Sequence, residues 1–162
     1  MAKLQIRTDG DPILRKKSRA VEQFDDALHT LIEDMYETMY ATEGVGLAAV
    51  QIGKLKRLLV IDDYEGHKLV LINPEVVEKS GAESGIEACL SVPERAGEVE
   101  RATHIVVSYK DARGEARTLE ADAFLARIVQ HEMDHLEGIL FTDRAEEMYV
   151  LEPKEEKKAE AK

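Results

Sequence analysis

The chain has 162 residues with a formal net charge of −11, and 44% of its residues are apolar while 34% are charged. This composition fits one globular domain with one core and excludes an intrinsically disordered chain. The acidic balance disfavours DNA as a partner, because phosphate contacts need basic clusters. No apolar run approaches the roughly 20 residues of a membrane span, and the N-terminal stretch lacks an apolar signal region. We therefore expect a cytoplasmic protein with no membrane partner.

The first part of the chain predicts one helix followed by strands. Apolar residues recur at helical spacing between residues 23 and 42, and Asp25 and Asp26 suit the N-terminal end of a helix dipole. Gly44 and Gly46 are expected to end this helix. The strand-like segments that follow are short, mostly rich in β-branched residues and separated by Gly, Pro or Asp: "RLLVIDD", "KLVLINP", "EVVEKSG", "HIVVSYKD" and "ARTLEA".

A second helix is predicted from about Asp122 to Glu137, and Gly138 is expected to stop it. The order helix, strands, helix predicts an α+β fold rather than repeated βαβ units. We expect residues 1–150 to form a single catalytic domain. Residues 151–162 are expected to be a charged C-terminal tail, because eight of the last eleven residues are Lys or Glu.

The second helix contains the pattern His-Glu-x-x-His within "QHEMDHLEG" (Gln130–Gly138). At about 100° per residue, His131, Glu132 and His135 fall in one apolar arc that also holds Phe124 and Ile128. A buried carboxylate without partners costs several kcal/mol, so something must compensate it. A divalent cation held by both histidines would do so. The same spacing occurs by chance on exposed helices, but the apolar arc argues against that reading.

Two histidines do not complete a metal site, and two sources for a third ligand stay open. Zinc proteases take it downstream, but the histidine position of one class is Phe141 here, which cannot ligate. A second class uses a glutamate, which leaves a zinc endopeptidase as an alternative with three candidates in the tail: Glu155, Glu156 and Glu160. Upstream, the single cysteine, Cys89, lies in a strand-like segment. Two imidazoles and a thiolate bind a borderline-soft divalent metal and leave one position for water.

Three segments together resemble the signature motifs of peptide deformylases. They are "GVGLAAVQIG" (Gly44–Gly53), "EACLS" (Glu87–Ser91) and "QHEMDHLEG" (Gln130–Gly138), in that order and with family-like spacing. The similarity also extends to "GDPILRKKS", "INPEV" and "GILFTDR". The resemblance implies small antiparallel sheets packed around a central helix that carries the HExxH motif. It also implies hydrolytic removal of the formyl group from N-formylmethionyl nascent peptides, with release of formate.

The resemblance implies a role for each matching residue. The implied metal ligands are Cys89, His131 and His135. The implied catalytic groups are Glu132 as general acid and base, the Gln51 side-chain amide, and the Leu90 backbone N–H, the last two as donors to the oxyanion. The implied substrate-binding residues are Val45, Gly46, Ala88, Phe124 and Ile128. The family is typically ferrous in the cell, whereas Zn2+, Ni2+ or Co2+ would suit the same ligands in purified protein. The ribosome is a candidate partner through the substrate.

The chain departs from the family pattern at two positions, Ala88 in place of glycine and Val50 in place of proline or a small polar residue. If Ala88 required a positive φ, its Cβ would cost about 1 kcal/mol or more. A catalytically weakened metal-binding homologue is therefore a further alternative. The comparison with the family also suggests an ion pair between Glu43 and Arg101 that braces the site.

Overall fold

Eight strands and three α-helices form the fold of residues 4–151, the part of the chain that this computed structural model describes. The helices are α1 (Asp26–Ala41), α2 (Ala123–Leu136) and α3 (Phe141–Arg144). The strands are β1 (Gly46–Ala48), β2 (Leu58–Asp62), β3 (Lys68–Ser80), β4 (Glu83–Cys89), β5 (Val92–Arg101), β6 (His104–Lys110), β7 (Ala116–Asp122) and β8 (Glu147–Val150). Within the described range, no helix combines the length and apolar character needed to cross a bilayer.

The strands form two antiparallel sheets, one of five strands in the order β1-β2-β3-β6-β7 and one of three in the order β4-β5-β8. Strand β2 is buried on both faces. Its residues Leu59 and Ile61 pack in the cluster that contains α2, and Leu58 and Val60 pack in the cluster that contains α1. Alternate strand residues point to opposite faces, so one apolar run serves both clusters. The α+β fold, with small antiparallel sheets around the HExxH helix, is confirmed.

The first helix begins at Asp26, and the side chain of Asp25 caps it by accepting a backbone N–H. Its C-terminal end corrects the prediction. Glu43 adopts the left-handed conformation that terminates the helix, with φ of 58°, whereas Gly44 and Gly46 have no positive φ. The two glycines therefore do not end the helix, and the reason for their small size lies in the site.

The predicted strands "KLVLINP" and "EVVEKSG" are parts of one strand, β3, whose register shifts twice along β6. The Asn73-Pro74 pair indicated a break between two strands. Strand β3 instead continues through this pair, with Asn73 at a φ of 51°. Strands β5 and β8 were not predicted. Strand β5 contains Pro93, Gly97 and many charged residues, and β8 has only four residues. The loops that join β2 to β3 and β6 to β7 each contain a glycine with positive φ, Gly66 and Gly114.

Candidate metal centre

The three predicted metal ligands converge from two elements. Cys89 ends strand β4, and His131 and His135 lie one turn apart on α2. The ligand atoms of the three residues all lie within 4.8 Å of one another, with Cys89 Sγ 3.3 Å from His135 Nε2. In residues 4–151 no other group of His, Cys, Asp or Glu side chains has this arrangement. The donor set of one thiol and two imidazoles fits a divalent ion of borderline softness.

The buried cluster shifts the pKa values of its two histidines in opposite directions. Burial lowers the pKa of His131, but hydrogen bonds with Cys89 and Glu87 outweigh burial and hold that pKa well above its usual value. Burial and the charge of His131 together place the pKa of His135 well below its usual value. A metal ion binds the neutral imidazole, so an ion at this cluster would compete with the proton that His131 retains in its absence.

Glu132 lies beside the ligands and is buried without a hydrogen-bond partner for its Oε1. Its Oε2 is 4.0 Å from His131 Nε2. Burial raises the pKa of Glu132 to about 7. A Cβ on Gly46 would come within 2.7 Å of Glu132 Oε2, so glycine leaves the room that this carboxylate occupies. A carboxylate left without a partner in a buried site is suited to proton transfer rather than to structural support.

Glu87 orients His131, a role that the sequence did not assign. Glu87 Oε1 accepts a hydrogen bond from His131 Nδ1 at 2.8 Å, and Arg101 donates to both carboxylate oxygens at 2.9 Å. Although burial raises its pKa, the hydrogen bonds from Arg101 and His131 hold the pKa of Glu87 at about 2. An ionised carboxylate only accepts, so Nδ1 carries the proton and Nε2 is free for a metal. Glu87 precedes Cys89 by two residues on the same strand face, which is the signal that could have found it.

Gln51 is buried in a short 3-10 turn (Ala49–Ile52) that follows β1. Its Oε1 accepts the Ala48 N–H at 2.8 Å. Its Nε2 donates to Ser91 Oγ at 3.0 Å and lies 3.6 Å from Cys89 Sγ. The side-chain amide is therefore held with its donor group directed at the metal ligands. Ser91, which fixes this orientation, had no role in the sequence interpretation.

A cavity of about 380 Å3 is lined by two of the predicted ligands, Cys89 and His131. The predicted substrate-binding and catalytic residues line it together: Val45, Gly46, Gln51, Ala88, Leu90, Phe124, Ile128 and Glu132. Exposed Ile86 is a further apolar residue of the wall that was not predicted. Ala88 lies within β4, paired with Ala96, and has no positive φ. The penalty that motivated a weakened homologue is therefore absent.

The suggested ion pair between Glu43 and Arg101 is wrong. Arg101 instead binds Glu87 and, through Nη1, Asp134 Oδ2 at 2.7 Å. The carboxylates of Glu87 and Asp134 accept hydrogen bonds from all three guanidinium nitrogens of Arg101. Glu43 lies at the exposed rim of the cavity. Arg101 still braces the site, through a different partner.

Of the sources considered for a third ligand, Cys89 lies with both histidines in the described part of the chain. Phe141 packs its ring against His131, with ring centroids 6.0 Å apart, and supplies no ligand atom. The three tail glutamates of the endopeptidase alternative lie outside the described residues. The remaining histidines bind elsewhere, His29 to the Ala112 carbonyl, His67 to Asp63 and His104 to Asp122.

Comparisons with known proteins agree with this geometry. The family model described as polypeptide deformylase matches residues 3–150. Peptide deformylase 1 of Clostridium acetobutylicum is 54% identical over 147 residues, which are 91% of this chain and 97% of that protein. Peptide deformylase of Finegoldia magna is 51% identical, covering 89% of this chain and 90% of that protein. The crystal structure of peptide deformylase from Thermotoga maritima superposes with a TM-score of 0.87 at 44% identity, covering 90% of this chain and 99% of that one. This chain belongs to the polypeptide deformylase family.

Proposed function

We propose that Cys89, His131 and His135 hold the metal ion of this metal-dependent hydrolase, with Glu132 and Gln51 as its catalytic side chains. The reaction is that of the family, hydrolytic removal of the N-formyl group from nascent peptides. One observation carries the assignment of residues. Three ligand atoms lie within 4.8 Å of one another beside a buried carboxylate oxygen that has no partner. Two imidazoles and one thiolate leave a coordination position for water, as in catalytic sites.

We propose Fe2+ as the ion in the cell, and Zn2+, Ni2+ or Co2+ as ions that the same ligands accept in purified protein. Such an ion supplies Lewis acidity and brings the pKa of water from about 15.7 toward about 7. The test is metal analysis of protein purified without oxygen, compared with its aerobic counterpart. Iron at one equivalent in the anaerobic sample alone supports the assignment, and zinc at one equivalent in both contradicts it.

Glu132 is the proton carrier in this proposal. Its unpartnered Oε1 accepts the proton of the attacking water, and the same carboxyl group then donates that proton to the amine as the C–N bond breaks. The products are formate and a free amino terminus. Two other acidic residues line the cavity in the described part of the chain. Glu87 is held in ion pairs with Arg101 and Arg127, and Glu43 lies at the exposed rim of the cavity.

The Gln51 amide and the Leu90 N–H are proposed to stabilise the oxyanion, a contribution of about 3 kcal/mol per donor in related chemistry. Gln51 is fixed before substrate arrives, because Ala48 and Ser91 hold both ends of its amide. A donor that is already oriented needs no reorganisation during the reaction. Leu90 follows Cys89 directly in the turn between β4 and β5.

The substrate is proposed to add as an extended strand beside Val45 and Gly46, with its methionine side chain in the cavity against Val45, Phe124 and Ile128. Exposed Phe124 gives the cavity an apolar mouth. The decisive test is formate release from a formyl-Met tripeptide by iron-loaded protein without oxygen. Absence of turnover at full metal occupancy would contradict the proposed function.

The Ala88→Gly variant is expected to change kcat/KM for that tripeptide by less than about threefold. Ala88 has no positive φ, so glycine relieves no backbone strain, and its only gain is space for the substrate backbone. Steady-state kinetics of the two proteins measure the effect. A tenfold gain would mean that Ala88 obstructs substrate.

The Gly46→Ala variant is expected to lower kcat at least tenfold while metal content stays at one ion per chain. The three atoms nearest to the added Cβ would all belong to Glu132, so the Cβ displaces that carboxylate, and Gly46 has no positive φ that would strain alanine. Kinetics and metal stoichiometry on the same preparation measure both quantities. Loss of metal together with activity would show that Gly46 serves the ligands and not Glu132.

We further propose that residues 1–150 act as one catalytic domain and that the protein works in the cytoplasm, where nascent chains emerge. The ribosome remains a proposed partner, through the substrate that it supplies. Cosedimentation with purified ribosomes, at low and high salt, tests that association.

A further inference from the structure

Helix α3 contacts His131 directly through Phe141 and is linked to it indirectly through Arg144. Phe141 at its start is buried, and its ring stacks on the His131 ring at an interplanar angle of 24°. Arg144 at its end forms a two-point ion pair with Asp134, with Nε 2.6 Å from Oδ2 and Nη2 3.1 Å from Oδ1. Asp134 lies between the two histidines of α2 in the sequence, and its carboxylate binds Arg101 and Arg144.

Asp134 connects Arg144 to the metal site through buried charges. Arg101 donates its Nη1 to Asp134 at 2.7 Å and its Nε and Nη2 to Glu87 at 2.9 Å each. Glu87 in turn accepts from His131 Nδ1. Hydrogen bonds thus run without a gap from a surface arginine to a metal-ligand imidazole.

The exposure of these side chains falls steeply along this path, from 46% for Arg144 to 14% for Asp134 and 4% for both Arg101 and Glu87. An exposed ion pair contributes little stability by itself. Arg101 and Glu87 are nearly fully buried, so water replaces a lost partner poorly at these two residues. Among the described residues, the loss of Arg144 leaves the Asp134 carboxylate with Arg101 as its ion-pair partner. A shift of Arg101 toward Asp134 draws its guanidinium away from Glu87.

We propose that Arg144 is a positioning residue for His131. By holding Asp134, it keeps Arg101 seated on Glu87, and Glu87 fixes the orientation of the imidazole. This inference rests on the proposed role of His131 as a metal ligand. Partners of a metal ligand typically change metal affinity by 10- to 100-fold when removed. Arg144 acts three partners further out, and a smaller effect of about three- to tenfold is expected.

The chain offers a matched control in Arg15. Arg15 forms an ion pair with Asp143, the residue next to Arg144 on α3, and its side chain is 48% exposed. Removing either arginine deletes one exposed ion pair from the same helix. Within residues 4–151, the Asp143 carboxylate accepts hydrogen bonds from Arg15 and the Leu140 N–H, and neither donor is hydrogen-bonded to a metal ligand. A purely structural role of α3 would make the two variants alike.

The experiment loads wild-type protein and the Arg144→Ala, Arg144→Lys and Arg15→Ala variants with Co2+. It measures the rate of Co2+ loss to a chelator, the Co2+ absorption bands and the melting temperature. Arg144→Ala is expected to lose Co2+ about three to ten times faster, with shifted bands, while Arg15→Ala matches wild type and the melting temperatures of the two fall alike. Arg144→Lys, which keeps one charged donor, is expected to fall between Arg144→Ala and wild type.

Metal loss from Arg144→Ala within twofold of wild type, or an equal change in Arg15→Ala, would overturn the positioning role alone. Failure of wild-type protein to bind one Co2+ would instead overturn the metal centre itself. The two failures are therefore distinguishable in one set of measurements.

Discussion

Replacing Cys89 by serine is expected to lower metal affinity by roughly 100-fold or more and to remove formate release with it. A serine hydroxyl has almost the same shape as the thiol, but it stays protonated near neutral pH and is a hard donor. The site then loses its one anionic, soft ligand, and two imidazoles remain. Metal content after dialysis against a weak chelator, with kinetics on the same sample, measures the change.

The same variant separates the deformylase reading from the endopeptidase alternative. A zinc site completed by a tail glutamate would not depend on Cys89, so its affinity would survive the substitution. Circular dichroism and the melting temperature of the metal-free proteins provide the control for folding. Full metal occupancy with normal turnover in Cys89→Ser would exclude Cys89 as a ligand.

The Glu132→Gln variant is expected to retain its metal and to lose about 10²- to 10⁴-fold in kcat, the range that general acid and base catalysis usually contributes. Glutamine keeps the volume of the side chain but cannot accept the proton from water. The effect should fall on kcat rather than on KM, because the cavity walls are unchanged. Formate release under saturating formyl-Met tripeptide, with metal stoichiometry, measures it.

Glu137→Gln is the matched control for that variant. Glu137 follows the same helix and pairs with Arg57 and Lys17 at the surface, outside the catalytic cavity. It is expected to leave kcat unchanged within about twofold, in keeping with the small contribution of exposed ion pairs. Retention of more than a tenth of kcat in Glu132→Gln would assign the proton transfer to another group.

Local pattern was enough to predict the helix that carries the ligands. Its apolar arc places His131, Glu132 and His135 on the buried face, and the structure confirms that all three are buried. Gly44, which precedes β1, and Gly46, which begins it, were harder to interpret, because glycine is expected both at a helix stop and at a close approach of two chain segments. The lack of a positive φ at either glycine and the position of the Glu132 carboxylate against Gly46 separate the two interpretations.

Long-range partners account for most of what sequence reasoning missed. Arg101 was expected beside Glu43, and its true partners, Glu87 and Asp134, come from different elements that only the folded chain brings together. The backbone conformation of Ala88 could not be predicted either, because an alanine in the sequence does not indicate whether its φ is positive or extended. The division of the chain at residue 150 stays a prediction, because residues 152–162 lie outside the described range.

The origin of the ligands has a mechanical consequence for the fold. Cys89 belongs to the three-stranded sheet, while the helix with both histidines packs on the five-stranded sheet. An ion held by all three residues fastens the two sheets to each other, so its binding free energy becomes folding free energy. Glu87, from the same strand as Cys89, adds a second fastening through His131 and Arg127. If Cys89, His131 and His135 hold the proposed ion, we expect removal of that ion to weaken the attachment of the smaller sheet.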